Sequence, residues 1–156
     1  NIIHKLREVR PNIGITTDII VGFPGESEEE FEETLSLYRE VEFDNAFVFK
    51  YSTRRNTPAA ELEQQLPQEL IEERHAKLLS EVNQIGATRY EKYIGKKMQI
   101  LVEGPSRRNK ERMEGRTRCN RIVVFDGGER FRGQLVDLNI IRSGSFTLYG
   151  DPVILK

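Results

Sequence analysis

Cations crowd the last third of this 156-residue chain. Arg107, Arg108, Lys110 and Arg112 fall within one short stretch, and Arg116, Arg118, Arg121, Arg130 and Arg132 recur among Phe125 and Phe131. Guanidinium and ammonium groups neutralise phosphates, and aromatic rings stack on unpaired bases. Single-stranded or looped RNA demands that combination, and each counterion released on binding makes the affinity salt-sensitive. Arg107, Arg108, Lys110, Arg116, Arg121 and Phe125 are therefore the candidate RNA-contacting residues. The same charges also make a merely soluble surface, and some of the rings must fill a core.

A second group of candidates lies near the other end. In "TTDIIVGFPGESEEEFEETL", residues 16–35, Gly22 and Gly25 fall between an apolar strand and a helix start. Parallel α/β folds hold ligands at this place, although glycines also serve a tight turn with no ligand. Glu26 and Glu28 to Glu30 occupy the anion-favouring field of the helix N-terminus, which argues against a phosphate cradle. Asp18 sits in an otherwise apolar strand, where an unpaired carboxylate is costly, so it requires a polar cavity or a partner. The segment "YSTRRNT" leaves a later strand at the same end and brings Tyr51, Ser52 and Arg54 towards the turn. An arginine there grips a carboxylate or phosphate, or is a solvated loop residue. One cysteine, Cys119, and two histidines, His4 and His75, leave metal and nucleophilic chemistry almost no raw material.

The elements that must position these residues follow from periodicity. Ile2, Ile3, Leu6 and Val9 recur at helical spacing up to Pro11, so a helix ends near Val9. A β-branched strand through "IGITTDIIVGF" follows. Ser27 and Glu30 form a capping box, and Phe31, Leu35, Tyr38 and Val41 form a buried stripe. The strand "NAFVFKYS" comes next, so the order implies right-handed crossovers and a parallel sheet. Two parallel strands cannot stand alone, and their exposed edges predict neighbours supplied by a longer parent protein or by another chain, with non-native dimerisation as a hazard. After Pro67 a long helix carries Leu70, Ile71, Leu78, Leu79, Val82, Ile85 and Tyr93 on one face. From Gly95 the period changes to two, and strands divided by Gly, Asn, Asp and Ser turns make a small all-β barrel or sandwich.

Charge divides along the same line. Residues 1–94 hold 11 Lys and Arg against 18 Asp and Glu, net −7, and residues 95–156 hold 13 against 7, net +6. The two parts, taken as domains 1–94 and 95–156, face different partners. Neither an apolar run of membrane-spanning length nor a signal-peptide pattern occurs, so a cytoplasmic location is expected.

"DIIVGFPGESEEEFEETL" followed by "YSTRRNTPAA" resembles the C-terminal part of the catalytic barrel of radical S-adenosylmethionine methylthiotransferases, and "GRTRCNRIVVF" with "GQLVDLNIIRSGSFTLYGDPV" resembles their TRAM domain. The resemblance implies a fragment of a parallel (β/α) barrel followed by a five-stranded antiparallel RNA-binding barrel. It implies S-adenosylmethionine and two 4Fe-4S clusters as cofactors of the full enzyme, with Asp18, Gly22, Tyr51, Ser52 and Arg54 lining the adenosine site. The implied target is a hypermodified adenosine beside the tRNA anticodon, reached through the anticodon stem-loop, or alternatively an aspartate of a ribosomal protein. The family's cluster-binding cysteines are not present, so this chain ligates neither cluster and is expected to be inactive alone while retaining RNA affinity. Asn56 stands where the family usually has Gly in "YSxRxGT", a change tolerated because Asn adopts left-handed backbone angles. A stand-alone RNA-binding module, with the α/β part as scaffold, is the other reading.

Overall fold

The computed structural model describes residues 2–153, in the order α1 (Ile2–Val9), β1 (Thr16–Val21), α2 (Glu28–Val41), β2 (Asn45–Lys50), α3 (Gln68–Glu91), β3 (Lys97–Pro105), β4 (Met113–Thr117), β5 (Ile122–Phe125), β6 (Leu135–Ser143) and β7 (Thr147–Pro152). They divide into two compact units, 15–85 and 1–14 with 86–156, so that α1 and the last turns of α3 group with the β-rich part. The division sharpens the charge contrast. Residues 15–85 hold 6 Lys and Arg against 16 Asp and Glu, net −10, and the other unit holds 18 against 9, net +9. Among the described residues no helix is long and apolar enough to cross a membrane.

In the 15–85 unit, β1 and β2 pair in parallel, with Asp18 opposite Phe47 and Ile20 opposite Phe49. Helix α2 starts at the expected capping box: the Ser27 hydroxyl accepts the Glu30 N–H, and the Glu30 carboxylate accepts the Ser27 N–H. Phe31, Leu35, Tyr38 and Val41 are buried, as are Val21, Ala46, Ile71, Leu78 and Val82. Alternation along the strands puts Val21 and Ala46 on a covered face and leaves the opposite face bare: Ile20, Phe47 and Phe49 are 57%, 56% and 52% exposed, and Asp18 is exposed among them. The described sheet has no third strand, so both strands also present free edges.

The other unit is a closed barrel in the order β3-β4-β5-β7-β6, with β6 pairing back to β3. The expected five strands are present, but the barrel is mixed and not antiparallel. All pairs are antiparallel except β5 with β7, which are parallel. Parity forces this correction, because an odd number of strands in a closed ring cannot alternate direction throughout. Ile100, Val102, Met113, Val123, Phe125, Leu138, Ile140 and Leu148 fill the interior, with Tyr90 and Tyr93 from the end of α3 and the turn after it. Cys119 lies in the tight turn between β4 and β5 and not within a strand.

Candidate nucleic-acid interface

Alternation in the barrel assigns each side chain to the core or to the outside. Across β4, β5 and β7 the aligned rows Glu114–Val124–Tyr149 and Arg116–Ile122–Thr147 point outward, while Gly115, Val123, Phe125, Leu148 and Gly150 point in. Phe125 is fully buried, edge-on to Phe131 at 5.9 Å, so it cannot stack on a base. The rings that open onto this surface are those of Tyr149 and Phe146, each half-buried in the wall of a cleft. The Arg142 guanidinium lies 3.6 Å from the Tyr149 centroid. A bulge in β6 between Ile140 and Arg142 makes this contact, because the extra residue turns Arg142 out to face Tyr149 while Ile140 stays in the core.

Residues 106–112 connect β3 to β4 beside this face. The Ser106 N–H donates to the Arg112 carbonyl (2.7 Å), and the Glu111 N–H to the Asn109 side chain (3.0 Å), which fix the loop. Arg112 makes a two-pronged pair with Asp126 at 2.6 and 2.9 Å. That bond raises the Arg112 pKa and holds the Asp126 carboxyl below its ordinary value. Arg116 contacts Glu103 at 3.2 Å and the Asn120 side chain at 3.0 Å. Arg107, Arg108 and Lys110 are exposed, with no carboxylate partner for their side chains among the described residues. A cleft of about 360 Å³ runs between Arg107, Arg108, Phe146 and Tyr149, with Arg116 and Glu114 also on its wall. Unpaired cations along a cleft floored by an aromatic ring suit a phosphate backbone with an unstacked base.

Arg121 is placed elsewhere. Its side chain is buried (3% exposed), stacked 4.7 Å from the Tyr93 ring, and donates to the Asn12 carbonyl at 3.3 Å. It therefore braces the connection after α1 and is withdrawn from the candidate RNA contacts. Of those six candidates, Arg107, Arg108 and Arg116 line the cleft and Lys110 stands in its loop. Sequence reasoning missed Tyr149, Arg142 and Phe146. The alternation Leu148–Tyr149–Gly150 would have placed Tyr149 outside, but the bulge that exposes Arg142 leaves no local sequence signal.

In the 15–85 unit the turn after β1 is tightly built. Gly22 has φ +77°, and a Cβ there would sit 2.5 Å from Ile71 Cγ1. Its N–H donates to Glu26 Oε2, whose carboxylate also accepts from Arg74 at 3.0 Å. Arg74 is 4% exposed and reaches Glu28 at 3.1 Å and the Glu26 carbonyl at 2.9 Å. Tyr51 is tied to the same end of the sheet by its N–H, which donates to Val21 O at 2.8 Å, and by an edge-on contact with Phe23 at 5.4 Å. Its hydroxyl is buried without a hydrogen-bond partner. Ser52 and Arg54 are exposed in the segment that follows, where Asn56 takes the left-handed φ of +62°. Asp18 lies on the bare sheet face beside Phe47. His75 is packed, with Nε2 3.2 Å from Val48 O. Among the described residues no group of three or more His, Cys, Asp or Glu side chains is arranged to hold a metal ion.

Residues 91–153 match the family model described as the TRAM domain. The chain is 46% identical over 152 residues to a tRNA-2-methylthio-N(6)-dimethylallyladenosine synthase of Clostridium novyi (strain NT), covering 97% of this chain and 34% of the relative. Proteins of the same name are 44% identical in Alkaliphilus oremlandii (strain OhILAs), over 98% of this chain and 32% of the relative, and in Methylacidiphilum infernorum (isolate V4), over 99% and 33%. The chain thus spans about a third of the length of the curated relatives it matches. Matched along nearly its whole length in this way, it resembles the tRNA methylthiotransferases of the MiaB type and carries the TRAM match in its β-rich part.

Proposed function

We propose that this chain is part of a cytoplasmic tRNA methylthiotransferase, with 95–156 as its RNA-gripping TRAM domain and 1–94 as a piece of its catalytic barrel. The outward Tyr149–Arg142 pair, beside the unpaired Arg107, Arg108 and Lys110 in a unit of net charge +9, carries the RNA reading. A hypermodified adenosine beside the anticodon is the proposed target, and the anticodon stem-loop the proposed partner.

The bare apolar face of Ile20, Phe47 and Phe49 supports the barrel-fragment reading over a stand-alone module, because a self-sufficient α/β layer would cover it. The residues present fit the adenosine half of S-adenosylmethionine: an apolar face with Asp18 on it, and beside it Gly22, the Phe23–Tyr51 pair and the unsatisfied Tyr51 hydroxyl. Ser52 and Arg54 would close that site from the following segment. When bound, the cofactor supplies the hydrogen-abstracting and methyl-donating chemistry of the family. The residues do not fit an iron–sulfur cluster, since Cys119 is the single cysteine of this sequence.

Titrating the chain with an anticodon stem-loop at 50 and 200 mM salt tests the RNA reading. Binding that weakens steeply with salt and loses several-fold in Tyr149→Ala is expected. Absent affinity or a flat salt response would overturn it and favour the ribosomal-protein target.

A further inference from the structure

A second group of cations lies at the opposite end of the barrel from the 106–112 loop. β3 begins there and β4 turns into β5, and the nine residues of β3 separate the two ends by roughly 25–30 Å. One hollow of about 280 Å³ is lined by Asn12, Tyr93, Lys96, Met98, Arg118 and Arg121 among others. A smaller one of about 170 Å³ shares Asn12, Tyr93 and Lys96 and adds Arg89 and Lys92. Neither lining contains a carboxylate.

The Tyr93 ring forms the floor, with the Arg121 guanidinium 4.7 Å and the Lys96 ammonium 5.5 Å from its centroid. The rim is open. Lys96 and Arg118 are exposed, and among the described residues neither has a carboxylate within ion-pair distance. Lys97 beside them is paired with Asp137 at 2.9 Å and offers less.

We infer that this Lys96–Arg118 end is a second RNA-backbone site, taking phosphodiester groups that flank the segment held at the Tyr149 face. The inference rests on the RNA reading above. Two fixed cationic sites at opposite ends of one barrel hold a strand in register, where one alone lets it slide. The rim lacks an exposed aromatic ring, since Tyr93 is buried beneath its cations, so the site reads phosphate and not base.

The test compares two double variants of the full chain that remove equal charge, Lys96→Ala with Arg118→Ala, and Arg39→Ala with Lys50→Ala, the latter two surface cations of the acidic 15–85 unit. Binding of a labelled anticodon stem-loop is followed by anisotropy from 50 to 200 mM salt, and each melt is checked against the parent. The first pair should weaken binding at least tenfold at 0.1 M salt and lower the salt slope by about 1.5 to 2, with the second changing little. Equal effects of both pairs would reduce the site to overall charge and overturn the inference. So would an unchanged slope in the first pair while Tyr149→Ala still weakens binding, which leaves the RNA reading standing. A parent chain that binds no RNA overturns both. Loss of binding to phosphatidylserine vesicles with RNA binding intact would assign the surface to a membrane and likewise overturn it.

Discussion

Two aromatic residues of the barrel have opposite jobs, and alternation along the strand decides which is which. Phe125→Ala should cost about 3–5 kcal/mol of stability, because it empties a fully buried ring from a closed core. Tyr149→Ala should leave the urea midpoint nearly unchanged and weaken RNA binding by about 1–3 kcal/mol. Urea unfolding and anisotropy on both variants check the exchange of roles. Gly22→Ala should destabilise by at least about 2 kcal/mol, since both φ and the Ile71 side chain oppose a Cβ. Equilibrium unfolding measures it. The sequence could not assign Phe125 because "RIVVF" is apolar on both faces, so its phase is ambiguous. Arg121 shares the inward phase of Val123 and Phe125, which explains why a guanidinium stacks under cover.

At the scale of elements, the buried Arg74 ties α3 to the turn after β1. Arg74→Ala should cost about 3 kcal/mol or more, because it strands the Glu26 carboxylate, 12% exposed, without its cation. Chemical denaturation reads the loss, and the partly exposed Arg39–Glu81 pair between α2 and α3 serves as a control whose removal changes little. Helices and strands were legible where caps and periods agreed: Ser27 with Glu30, Pro11 after Val9, and the switch to alternation after Gly95. The antiparallel expectation failed on a count already in hand, since five strands in a ring require one parallel pair. The β6 bulge was not legible, because nothing local in "NIIRS" marks the extra residue.

For the whole molecule, charge sets the response to acid. A hydrogen bond from Arg39 lowers the pKa of Glu81, one from Gln68 chiefly lowers that of Glu72, and Arg112 lowers that of Asp126. A depressed folded pKa adds stability above the unfolded value and loses it as pH falls through the folded one. The melting temperature should therefore hold from neutral pH to about 5 and decline below the ordinary carboxylate range. The decline should be smaller in 0.5 M salt, since these pairs lie at the surface. Calorimetry at stepped pH would show it, and a melting temperature rising with acid would contradict the ion-pair assignment. The last strand, β7, is wedged between β5 and β6. As the chain leaves the ribosome, four strands can meet only as an open, curling sheet with β5 and β6 unsealed, and the ring shuts once Thr147–Pro152 has cleared the exit tunnel. Nascent chains arrested before that point should be open to proteases and to strand exchange, and those arrested well after it should resist both.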